Sequence, residues 1–179
     1  MWLRRWAVAG AALGVSLIGT AALAQGGGGM GMGRGMMGMA HDSATMAQML
    51  VIHELVVNNE RIKRTVANLP DGIRTVTESD DPRLARLIKD HVLTMDQRVS
   101  KGDDPGLPVE SAALQAIFRG KDKIRTTTDT TATGIVVVQT SSDSAMVAAL
   151  QQHAAEVTDL VQRGMAAMHD AMMKRMRGG

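Results

Sequence analysis

The chain has 179 residues, 20 Lys and Arg against 18 Asp and Glu, no cysteine, and only Trp2, Trp6 and Phe118 as aromatic residues. Without cysteine there can be no disulfide, thiolate metal site, lipid-modified N-terminal Cys or covalently attached haem. The lack of stacking faces, together with the near balance of charge, excludes a single-stranded nucleic-acid binder.

Arg4 and Arg5 are followed by an apolar run from Ala7 to Ile18 and by Ala22-Leu23-Ala24. This order of basic region, apolar region and small-x-small site is that of an export signal, here residues 1–24. Cleavage is predicted after Ala24, which makes the protein periplasmic or secreted. The run is too short for a convincing membrane span, and none is expected later in the chain. Loss of Arg4 and Arg5 leaves 18 basic against 18 acidic residues, so the basic precursor does not imply a polyanionic partner.

Residues 25–44 form a Gly-rich tail carrying Met30, Met32, Met36, Met37 and Met39, and such a composition predicts disorder. From Thr45 the apolar residues take helical spacing, with Met46, Met49, Leu50, His53, Val56 and Val57 on one face. That face weakens towards Val66. Leu69-Pro70-Asp71-Gly72 predicts a turn and Ile73 to Thr77 a short strand. Asp81-Pro82 then supplies an N-cap and a first-turn proline for a helix that stops at Gly102. Its stripe is Leu84, Leu87, Ile88, His91, Val92, Met95 and Val99. Residues 103–108 are a linker with two prolines.

The second half is predicted as a helix over 109–125, a Thr-rich loop over 126–133, and a strand from Ile135 to Gln139. Asp143 caps the next helix, whose stripe contains Met146, Leu150, His153, Val157 and Val161. Gly164 is expected to kink this helix rather than end it, because helical spacing resumes through Met176.

Shifting the chain by 62 residues aligns residues 72–102 with 134–164 without a gap. Gly72, Ile73, Val76, Ser79, Asp81, His91, Val99 and Gly102 meet identical residues. The expected fold is therefore α+β and mostly helical, one domain over residues 45–179. It consists of two tandem helix–strand–helix repeats (45–102 and 109–164) related by a pseudo-two-fold, with a Met-rich C-terminal helix over 165–179. Two short strands are marginal alone, so they should pair with each other beneath the helices or across a homodimer.

Caps, turns and stripes account for most of the matched positions. His91 and His153 are different, because an imidazole in an apolar stripe needs a hydrogen-bond acceptor, a metal or the other histidine. A hydrogen-bonded core histidine is the plain alternative for each. Met95 lies one turn after His91, and His53 occupies the stripe of the first helix; neither has an equivalent in the other copy. Met165, His169 and Met173 follow at i, i+4 and i+8, a thioether–imidazole–thioether row on one helix face. Methionine also fills cores and adaptable contact surfaces, so this row could equally face a helical partner.

Thioether and imidazole ligands without thiolates suit Cu(I). Met/His-rich tails of this kind are similar to those of exported copper-handling and metal-stress proteins, a likeness confined to the tail and the C-terminal helix. The leading expectation is thus an exported copper-binding or copper-buffering protein. Non-covalent binding of haem b through His91 and His153 is a second reading, and a chaperone-like interaction module with structural histidines a third. No G-x-S-x-G, H-E-x-x-H or Gly-rich phosphate loop occurs, and no enzyme is expected.

Overall fold

The computed structural model describes residues 33–107 and 111–178. The expected signal peptide and the first part of the tail lie outside the described residues. Five helices and a four-stranded antiparallel sheet follow in the order α1 (Gly33–Val57), β1 (Lys63–Leu69), β2 (Gly72–Glu78), α2 (Pro82–Lys101), α3 (Ala112–Arg119), β3 (Arg125–Thr130), β4 (Gly134–Thr140), α4 (Ser144–Arg163) and α5 (Met165–Gly178). Helix α1 takes in residues 33–44, which the composition assigns to the tail. Short 3-10 turns at Asn59–Arg61 and Lys121–Lys123 lead into β1 and β3. Among the described residues no helix is long and apolar enough to cross a membrane.

The sheet order is β1-β2-β4-β3. As expected, Ile73–Thr77 and Ile135–Gln139 pair with each other, with Thr75 opposite Val137 at the middle of the ladder. The sequence reading missed β1 and β3. It carried the first helix towards Val66 and treated residues 126–133 as a loop, but both segments are strands. Helix 109–125 is likewise shorter, confined to Ala112–Arg119. The physical reason lies in the side chains: Lys63-Arg64-Thr65-Val66 and Arg125-Thr126-Thr127-Thr128 are β-branched at half or more of their positions, which favours a pleated strand over a helix. Their charges suit edge strands, where Lys and Arg discourage pairing with another chain.

The capping expectations agree with the structure. Asp81 accepts from the backbone N–H groups of Arg83 (2.7 Å) and Leu84 (3.2 Å), and Asp143 from those of Ala145 (2.9 Å) and Met146 (3.3 Å). Arg61 lies 2.8 Å from Asp81 and Lys123 2.6 Å from Asp143. These backbone donors and cations hold both carboxyls below the usual carboxylate range. Asp143→Ala should lower Tm by roughly 3 °C in thermal unfolding followed by circular dichroism. Asp143→Asn, which keeps a capping oxygen, should recover part of that loss. Gly102 ends α2 in the left-handed conformation (φ 69°). Gly164 (φ 58°, ψ −132°) separates α4 from α5 rather than bending one continuous helix.

The helices cover the sheet face that carries Ile73, Thr75 and Thr77. Helix α2 packs mainly on β4, whereas α4 packs on β2 and β1, so each long helix covers strands of the other half. One aliphatic cluster joins Ile73 and Ile117 to Met146 and Leu150 of α4. A second joins Ile135 of β4 to Ile62 and Ile88. A third, made of Ile52, Val56, Leu107 and Met168, ties α1 and α5 to the linker.

Candidate functional site

A cavity of about 270 Å³ lies between the sheet and the helices. Its walls are mostly aliphatic, contributed by α1, α2, α3, α4 and the central strands. The polar groups that reach it are few: His91, Asp96, His153 and Glu156 from α2 and α4, Ser111, and Arg64, Thr75, Thr77 and Gln139 from the sheet. A largely apolar cavity with a few convergent polar groups is the usual form of a ligand site.

His91 and His153, equivalent under the 62-residue shift, both line this cavity, and so does Met95. The helical period explains this placement. Residues 88, 91, 92, 95 and 99 share one face of α2, and 153, 154, 157, 160 and 161 share one face of α4. The apolar stripes that dock each helix therefore also carry the imidazoles inward.

Each imidazole turns Nδ1 towards an oxygen, within hydrogen-bond distance for His91 only. Gln48 of α1 presents Oε1 at 3.1 Å from His91 Nδ1. Glu156 Oε2 lies 3.9 Å from His153 Nδ1, one turn along α4. With Nδ1 directed at an acceptor, the neutral ring keeps its lone pair on Nε2, the arrangement that orients histidine as a metal ligand. Burial pushes the His91 imidazole down to about 4, and the proximity of His153 adds to the shift. His91 is therefore uncharged at neutral pH. Burial opposes ionisation of Glu156, but the neighbouring polar groups of His153, Ser111 and Gln152 outweigh it and hold the carboxyl down at about 2.

The remaining candidate residues lie elsewhere. His53 is exposed on α1. Met165 and His169 are exposed on α5, and Met173 is half-buried; His169 and Met173 border a shallow surface depression with Asp170 and Lys174. The neighbouring Met168 is core, only 3% exposed. The structure thus brings together His91, His153 and Met95, and separates them from His53 and from the Met165–His169–Met173 row. Among the described residues no group of three or more His, Cys, Asp or Glu side chains could hold a metal ion. Met95 adds a thioether to the two imidazoles in the lining of the cavity.

Sequence reasoning missed Gln48, Arg64, Ser111, Thr75, Thr77 and Gln139. The strand pattern of Lys63-Arg64-Thr65-Val66 holds the available signal, since alternation puts Arg64 and Val66 on one face. Glu156 was recognisable as a neighbour of His153, but not as its contact. Neither a protein-family model, nor a curated protein, nor a solved structure matches this chain.

Proposed function

We propose that the protein is an exported copper-binding protein that holds Cu(I) through His91, His153 and Met95 at the cavity between α2 and α4. The observation that carries this reading is the pair of inward imidazoles, each with Nδ1 facing an oxygen acceptor, in a cavity that also presents a thioether. A metal ligand must be unprotonated, and burial keeps His91 in that form. Imidazole and thioether donors with no thiolate favour a soft monovalent ion in an oxidising compartment. The Met165–His169–Met173 row on α5, which lies outside the cavity, and the Met-rich N-terminal segment of the sequence would supply further thioethers for first capture of the ion.

The two halves are, on this reading, copies related by an approximate two-fold axis through the Thr75–Val137 pair. Support comes from the strand register. Under the 62-residue shift the pair Gly72–Thr140 becomes Gly134–Glu78, which is also a pair. Leu69 opposite Gly72 becomes Thr131 opposite Gly134, where the Thr131 N–H donates to the Gly134 carbonyl at 2.9 Å. Such an axis carries His91 towards His153 and so accounts for both reaching one cavity.

Competition of the purified protein against a chromophoric Cu(I) chelator tests the function. His91→Gln, His153→Gln and Met95→Leu should each weaken Cu(I) binding by at least about tenfold. His53→Gln, on the exposed face of α1, should leave the affinity within twofold of the parent protein. Parent-like affinity in the combined His91/His153/Met95 variant would overturn the assignment. Reconstitution with haem b provides the competing outcome: a Soret band lost in His91→Gln and His153→Gln would assign the imidazoles to haem instead.

A further inference from the structure

A second feature of the cavity stands apart from the histidines. Arg64 of β1 turns its guanidinium inward beneath the helices, and no carboxylate pairs with it among the described residues. One terminal nitrogen donates to Thr77 Oγ1 at 2.6 Å, across the β1–β2 ladder where residues 64 and 77 are partners. Its Nε is buried with no hydrogen-bond partner. A buried guanidinium normally has a paired anion, and an orphaned N–H costs the desolvation of that group. Desolvation alone pushes Arg64 down to about 10, which leaves it charged at any physiological pH. The sheet floor around it is polar as well: Thr75 and Thr77 are only 6% and 8% exposed at positions where a sheet beneath helices ordinarily carries aliphatic side chains.

The cavity thus combines aliphatic walls with a guanidinium that has no ion-pair partner among the described residues. The carboxylates of Asp96 and Glu156 also line it, so a second negative charge on the occupant would be repelled. We infer that the cavity binds an amphipathic monocarboxylate, its carboxylate accepting from Arg64 and its hydrocarbon chain lying against the aliphatic walls of α1, α2 and α4. A guanidinium is matched to a planar carboxylate, which would accept from its terminal N–H groups. The chain would fill space that is otherwise without partner atoms.

The inference does not depend on copper, and its test is run on protein kept metal-free with a chelator. Decanoate and decanol are titrated calorimetrically at pH 7.5, where decanoate is ionised. Decanoate is expected to bind at least tenfold more tightly than decanol. Arg64→Gln should abolish that preference while decanol binding persists, and Arg64→Lys should retain part of it. Circular dichroism establishes that each variant is folded. The comparison of decanoate with decanol in the unaltered protein needs no variant, so misfolding of Arg64→Gln cannot rescue the proposal. Equal affinity for the two compounds, binding of neither, or a preference for decanoate that survives in folded Arg64→Gln would each overturn it.

Discussion

Gly134→Ala should destabilise the protein by about 3 kcal/mol, a drop in Tm of roughly 10 °C, and Gly72→Ala should do nearly the same. A Cβ at Gly134 would lie far inside van der Waals contact with the carbonyl oxygen of Thr77, and one at Gly72 would meet the carbonyl oxygen of Gln139 in the same way. Both obstacles are backbone atoms in the central β2–β4 ladder, so no side-chain rotation can relieve them. The strands must separate or shift, and the register that places Thr75 against Val137 is then lost. Urea unfolding followed by circular dichroism measures the effect. A change below about 0.5 kcal/mol in both variants would mean that the ladder yields at its ends at little cost. Gly106→Ala provides the contrast, because its Cβ meets nothing within 4 Å and only its positive φ of 62° is strained. It should therefore cost less than either strand glycine.

Stability should also fall as the pH is lowered from 6.5 towards 4, by on the order of 2–3 kcal/mol, with His91 as the main cause. The sign follows from proton uptake. The unfolded imidazole takes a proton near 6.5, whereas the folded one resists until about 4. Between those values the unfolded state binds more protons, so acid favours unfolding. Above pH 6.5 neither state is protonated and this contribution is flat. Glu156 acts in a lower window, since its folded carboxyl ionises near 2 against an ordinary value of 4.5. Measurements between pH 6.5 and about 5.5 therefore isolate His91 from Glu156. His91→Leu should flatten the profile over that range, whereas an unchanged slope would place the titration on another group. Bound Cu(I) should suppress the same slope, because a coordinated imidazole is closed to protons.

Local chemistry made much of the fold legible. Asp81-Pro82 and Asp143 marked two helix starts, Gly102 marked an end, and the β-branched runs at Ile73 and Ile135 marked the strands that form the centre of the sheet. The edge strands escaped because their evidence is tertiary. Lys63–Leu69 and Arg125–Thr130 carry too few apolar residues to show a buried face, and they are strands because β2 and β4 offer open backbone edges beside them. Missing them concealed Arg64 as well. As part of a helix end it reads as a solvated cation, and only strand alternation turns it inward. The histidines were legible for the opposite reason, since an imidazole within an aliphatic stripe is conspicuous on either helix. Gln48 and Ser111 could not be anticipated, because their contacts depend on where α1 and the linker come to rest.

The exchange of partners between the halves, with α2 on β4 and α4 on β2 and β1, has a kinetic consequence. Neither hairpin buries most of its inner face with the helix that directly follows it. Each must wait for a helix from the other half, and α4 reaches β1 across about 80 residues of chain, as the Gln151 side chain shows by donating to the Leu69 carbonyl. Closure of such long loops precedes most of the gain from burial. Folding of this domain should therefore be a single late commitment of both halves, slow for its size, with the cavity forming only when both have docked.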